Sequence, residues 1–457
     1  MNLLKTGYAK VNINPRLDTP IYGYFVPRYA KGFLDDLEAA ALALSCGGKT
    51  ILVMTVDHGG IIAEYIAEYC RAIEKATGVA KEDIMISASH THTGPYIVPD
   101  DMFDLNEQDI ALITEYKKFL GERLVDVAKL ALADMRPTKM GYIVGWAPER
   151  VAYIRRYKMK DGSTMTCPPI NDPNIDHPIG ELDQRVNVLR FDREGTESVV
   201  FVNYGLHVDT IGGELISSDW AGWLRRTVEK ALDGTKCMVF AGAQGDVGST
   251  HVNPEGGDMN DTEISFDNEM KSPGKARFVG RALAGTVLQV YDKVHYVDVD
   301  KVNVLHRVAM IPSNMPKAED LPLARQYKEW HEAGRDDKIP YEAMELTTVV
   351  AEALRMCRLE NGPEFFERDI IGVQIGNVVM VGIPGEPFTD VGVAIKKAEG
   401  WSMIMPCALT NGNEGYYPMQ SAYDEGGYES RSSNYKAGVA EKFIEEGKAL
   451  LDALRNA

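Results

Sequence analysis

The stretch "TILVMTVDHGGIIAEYIAEYCRAIEKATGVAKEDIMISASHTHTGP" (50–95) decides the fold class. Its opening is a β-branched apolar run closed by "DHGG", which predicts a buried strand ending in a turn. Residues 61–78 read as the helix after it. The segment "DIMISASHTHTGP" (83–95) predicts a second strand whose end carries His90 and His92. Strand, helix and strand in succession build layered α/β architecture. Such folds place their chemistry beyond the carboxyl ends of the strands.

The pattern recurs downstream. "ESVVFVNYGLHVDTIGG" (197–213) is a strand running into His207, "DWAGWLRRTVEKALDG" (219–234) is a helix, and "CMVFAGAQGDVG" (237–248) is a strand with a glycine-rich exit. "IIGVQIGNVVMVGIPGEPF" (370–388) reads as two strands joined at Gly376-Asn377 and ending on Glu386. The expectation is a single α/β domain over 1–457, with mixed sheets flanked by helices and insertions at 252–275 and 316–360. Either insertion would serve as a lid, a pocket frame or a plain surface excursion. No internal repeat, low-complexity tract or linker is visible.

Composition narrows the function. The net charge is −18, from 49 basic and 67 acidic residues. Nucleic acid and anionic membranes are therefore excluded as partners, because phosphates are held by clustered Lys and Arg. The tight basic cluster Arg155, Arg156, Lys158 and Lys160 is too small for a nucleic-acid footprint and reads as a solvated loop or as a grip on a substrate carboxylate. The start lacks a signal-peptide pattern, and no run reaches about eighteen apolar residues, so a cytoplasmic location is expected. Six scattered cysteines without CxxC spacing read as reduced thiols. A small-molecule substrate is expected, and self-association is left open.

Alternate residues of a strand share a face, so a strand-borne His-x-His would present His90 and His92 to one side, as a metal requires. Alone, the pair reads equally as solvated histidines. His207 closes another apolar strand, and Glu386 sits among glycines and prolines where an unpaired carboxylate is costly. Histidines and a carboxylate at strand ends point to a catalytic zinc centre, although iron or manganese would suit the same donors.

These residues carry a resemblance. "SASHTHTGP", "YGLHVDT", "AGAQGDVGST", "GIPGEPF" and "LTNGNEGYYPMQSAYDEGGYES" follow in order the pattern of the neutral/alkaline (non-lysosomal) ceramidases, zinc amidases, and "YGY" (22–24) and "MTVDHGG" are similar too. The resemblance implies the fold of that family's catalytic domain and one zinc per chain held by His90, His207, Glu386 and Tyr416, with Tyr417 as the competing tyrosine. It also implies that His92, Arg150 and Tyr428 surround the oxyanion, with Arg155 and Arg156 as competing arginines. His92 is in addition a candidate to protonate the leaving amine.

Three departures stand against ceramide itself. The family's "GDxSPN" is "GDVGST" here, with Gly248 at the serine position. The chain stops after "EKFIEEGKALLDALRNA" without the family's β-sandwich-like C-terminal domain, and no signal peptide is visible. The reading is therefore a zinc-dependent hydrolase of an amide, ester or lactone in a small soluble substrate. The alternatives are a zinc lyase or an isomerase of a sugar-acid-like substrate, and an inactive binding protein. A dinucleotide site at "GAQGDVG" is disfavoured because its glycines do not match GxGxxG.

Overall fold

The computed structural model describes residues 3–98, 105–253 and 271–457. Most of the expected insertion at 252–275 lies outside the described residues. Its last residues cap and begin the helix Pro273–Val290, where the Ser272 hydroxyl accepts the Lys275 amide.

Two sheets form the centre. The larger runs Thr235–Ala241, Ser198–Tyr204, Arg185–Arg193, Arg136–Trp146, Lys5–Asn12, Glu38–Cys46, Lys49–Val56 and Ile84–Ala88, with the short His295–Val297 also paired to Arg136–Trp146. The smaller runs Val302–Pro312, Phe365–Ile375, Val378–Gly382 and Met403–Cys407. Leu42, Leu44, Met85, Phe201 and Phe240 of the large sheet pack against Val304, Ile371, Val373, Met380 and Met405 of the small one. The opposite faces are covered by helices, which gives four layers: helices, sheet, sheet, helices.

The alternation along each strand dictates this arrangement. In "EAAALALSC" (38–46), Ala39, Ala41 and Ala43 face the helices while Leu42 and Leu44 face the other sheet. Small residues let the helix Glu107–Ala133 approach closely. At Gly7 a Cβ would fall 1.9 Å from the Ala131 carbonyl oxygen.

Within the two sheets three neighbouring pairs are parallel: Lys49–Val56 with Ile84–Ala88, Ser198–Tyr204 with Thr235–Ala241, and Val378–Gly382 with Met403–Cys407. Each is bridged by one helix, as parallel strands require: Ala63–Thr77, Asp219–Ala231 and Thr389–Lys396. Each pair is preceded by two antiparallel strands and followed by another helix, Glu107–Ala133, Pro273–Val290 or Val439–Asn456. The same order of elements thus occurs three times. The repetition is one of topology, held by hydrophobic period rather than residue identity, which is why the sequence shows none.

The carboxyl ends of the three pairs converge. Ala88, Ala241, Ala408 and Leu409 form one buried cluster, with Ala88 N donating to Leu409 O at 3.0 Å and Ala408 N to Ala241 O at 2.9 Å. Residues 316–360 form two helices, Leu321–Glu332 and Ala343–Leu359, between the first two strands of the third unit. Among the described residues no helix is long and apolar enough to cross a membrane. All six cysteines are free thiols.

Candidate metal centre at the strand exits

The three converging exits each deliver a donor. From the first unit comes His90, from the second His207 and from the third Glu386. All three are buried. The strand Ile84–Ala88 ends two residues before His90, so His90 and His92 are not strand-borne as the sequence pattern suggested. What brings their rings together is His90 itself, held at φ 72°. A left-handed non-glycine residue costs about 1–2 kcal/mol. The turn is held by His90 N donating to His58 O at 2.9 Å and by the guanidinium of Arg28, which donates to the carbonyls of Tyr22 and His92.

The ring geometry fixes the tautomers. His90 Nδ1 faces the Gly59 carbonyl and His207 Nδ1 faces the Gln244 carbonyl at 2.9 Å. A carbonyl only accepts, so each Nδ1 carries its proton, and each ring in its neutral form turns an Nε2 lone pair inward. The Glu386 Oε2 lies 3.2 Å from His90 Nε2 and 3.0 Å from His207 Nε2. His92 Nε2 lies 3.3 Å from His90 Nε2, and one nitrogen from each of His90, His92 and His207 fits within 4.8 Å of the others.

Burial alone would depress the His90 imidazole, but the Glu386 carboxylate outweighs it and holds His90 above its ordinary value. Burial and then the Arg155 guanidinium push His207 down. Burial, together with His90, His207 and Lys271, pushes His92 well down against the pull of Asp209. Burial would raise Glu386, yet the two imidazoles, when they carry a proton on Nε2, hold it well below the carboxylate range. Two imidazole Nε2 atoms and a carboxylate are turned on one point, and Glu386 Oε2 makes no hydrogen bond among the described residues. A divalent cation fits that set. The carbonyls behind His90 and His207 are the outer partners that orient metal-binding imidazoles.

Tyr416 faces this point and Tyr417 does not. The short strand Tyr416–Tyr417 pairs in parallel with Glu386–Pro387, with Tyr416 opposite Glu386. The Tyr416 ring stacks 6.5 Å from His207, and burial and Glu386 raise its phenol well above the ordinary value. Tyr417 is fully buried on the other side, its hydroxyl donating to Pro384 O at 2.7 Å amid Tyr435 and Phe443. Tyr428 stands edge-on to Tyr416 at 5.6 Å.

Of the three candidate arginines, Arg155 stands against His207. Arg155 Nη1 lies 3.3 Å from His207 Nε2, and Arg150 occupies a turn at φ 67°. Its other nitrogens are fixed by Glu429 Oε1 at 2.7 Å and Gly245 O at 2.8 Å. Arg156 pairs with Glu425 at 3.0 Å, so both arginines of the basic tract are interior groups with partners, not a solvated loop. The spacing read from the sequence did not separate three arginines within seven residues.

Several residues of the site went unread in the sequence. Glu429, fully buried, follows Tyr428 directly. Asp209 stands two residues after His207, the separation of His90 and His92; its carboxylate accepts from Tyr24 at 2.5 Å and from Lys271 and lies 3.7 Å from His92 Nδ1. Gly248, at the position of the family serine, lies against Arg155, 3.4 Å from its Cβ to an added methyl.

Comparison with solved structures bears on the fold. The chain superposes over its whole length on neutral ceramidase from Pseudomonas aeruginosa with a TM-score of 0.70 and 16% identity, covering 75% of that chain. It superposes equally on a ceramidase complexed with C2, with a TM-score of 0.72, 16% identity and 76% of that chain covered. The fold is that of the neutral ceramidases. No protein-family model and no curated protein matches the chain. The site sits at the floor of a cavity of about 660 Å³, with His90, His92, Glu386, Tyr416 and Tyr428 below and apolar side chains along one wall.

Proposed function

We propose that this protein is a zinc-dependent hydrolase of carbon–nitrogen bonds in a small substrate, with ester or lactone bonds within reach of the same chemistry. One observation carries the reading: a buried carboxylate oxygen without a hydrogen-bond partner, set between two imidazole Nε2 atoms whose far nitrogens are fixed on carbonyls. The likeness to ceramidases supports the bond type.

His90, His207 and Glu386 would hold the metal, with Tyr416 as a fourth donor, and the mixed imidazole and carboxylate set favours zinc. Zinc held there supplies Lewis acidity toward a carbonyl oxygen and toward water. The chain's own groups do the rest. His92, neutral because its pKa is depressed, stands beside the cluster and accepts a proton on one side of the reaction to return it to the leaving amine. Arg155 and the phenol of Tyr428 aim donors at the charge that develops on the carbonyl oxygen. Glu429 fixes Arg155 in that orientation.

The test is incubation of zinc-loaded protein with a panel of amides, esters and lactones in oxygen-labelled water. Hydrolysis places one labelled oxygen in the acid product. A product of unchanged mass without label would instead establish the isomerase reading.

A further inference from the structure

The cavity above the cluster has one wall made by a single face of the helix Ala343–Leu359. Ala351, Leu354 and Arg358 lie at helical spacing on that face, and all three line the cavity. Leu354 packs in the cluster that holds Phe25, whose ring stands 6.4 Å from the Tyr428 ring, so this end of the stripe adjoins the reacting floor. The other end is Arg358, exposed at the rim. From Ala351 to Arg358 the helix rises about 10 Å.

The cations of the cavity differ in their partners. Arg368 is neutralised by Glu414 at 3.1 Å. Arg358 Nη2 donates to Asn434 Oδ1 at 2.7 Å, an uncharged acceptor, and among the described residues Arg358 forms no ion pair. Because a guanidinium only donates, the amide oxygen of Asn434 must face it, which turns Asn434 Nδ2 away as a further donor at the same rim. The result is an apolar stripe that begins at the floor and ends in an unneutralised cation beside an amide. On a chain of net charge −18, an anionic ligand is repelled by the general field and needs such a local cation.

We propose that the substrate is an amide whose apolar arm ends in a carboxylate, the arm lying on Ala351 and Leu354 and the carboxylate on Arg358 and Asn434. This rests on the hydrolase reading for which bond lies at the floor, but the anion subsite can be tested separately by binding.

The experiment is isothermal titration of the full-length, zinc-loaded protein with suberic acid monoamide and with octanamide, which differ only in the terminal carboxylate. The wild type is expected to bind the acid about tenfold more tightly, the worth of one charge-assisted hydrogen-bonded contact. In Arg358→Gln the preference should fall to within about twofold while octanamide binding is unchanged, and Arg358→Lys should keep part of it. Equal affinities in the wild type, failure of both ligands to bind, or an unchanged preference in Arg358→Gln would overturn the proposal. Acid-selective binding with no hydrolysis of either probe would remove the hydrolase reading and leave the subsite. Hydrolysis of both at equal kcat/KM would do the reverse.

Discussion

Replacing Arg155 by methionine should test whether the buried charge pair beside the cluster is integral to the fold. Glu429 is fully buried, and Arg155 holds it through a 2.7 Å contact. Without the guanidinium, Glu429 retains the Thr166 hydroxyl at 2.7 Å and Arg156 Nε at 3.7 Å. Removing one partner of a buried pair costs about 3–5 kcal/mol. The second arginine still faces the stranded carboxylate, so the lower end, about 3 kcal/mol, is expected here. Replacing both partners, Arg155→Met with Glu429→Leu, should recover most of that loss, because matched apolar side chains substitute for a buried pair at little cost. The assay is urea unfolding of metal-free protein at pH 7, followed by fluorescence and read at the first transition. A loss below about 1 kcal/mol in Arg155→Met, or a double variant less stable than the single one, would show that the pair is not integral to the fold.

Three further outcomes follow from particular contacts. Gly248→Ser should fold with a stability within about 0.5 kcal/mol of wild type by the same urea assay, since an added Cβ meets Arg155 only at an ordinary 3.4 Å. Tyr417→Phe leaves the Pro384 carbonyl without its donor and should lose about 1–3 kcal/mol of stability, whereas Tyr416→Phe should cost little stability and weaken zinc retention against a chelator. His306 places Nδ1 on Asp369 at 2.7 Å and Nε2 on Glu82 O at 2.8 Å, so both nitrogens need protons. Burial opposes that charge, but Asp369 outweighs it and raises the folded pKa above the unfolded value. The stabilisation is therefore fully present below the unfolded pKa of about 6.5 and lost as pH rises through the folded pKa. His306→Gln should destabilise the protein at pH 5.5 and much less at pH 9, and an equal loss at both would contradict the assignment.

Much of the architecture could be read from the chain because hydrophobic period reports burial directly. The helix expected at 61–78 is Ala63–Thr77 with Gly78 closing it at φ 78°, and the turn at Gly376-Asn377 joins Phe365–Ile375 to Val378–Gly382. The strand exits carrying His207 and Glu386 were legible for the same reason, since polar donors interrupt apolar runs there. Geometry set by single dihedrals was not legible. His90 and His92 meet through a left-handed residue, not through strand alternation. Nor does spacing show that a chain leaving the turn at Arg150 presents Arg155 to His207. Asp209 and Glu429 were within reach of the sequence: each lies within two residues of one already singled out, and a carboxylate buried there demands a partner.

Whether the strand exits hold one catalytic metal is decided by elemental analysis. Protein purified without a histidine tag should carry about one zinc per chain by plasma mass spectrometry, and His90→Ala, His207→Ala and Glu386→Ala should each lose it while remaining folded. Full metal content in all three variants, or none in wild-type protein after exposure to zinc, would rule out a metal centre at these exits.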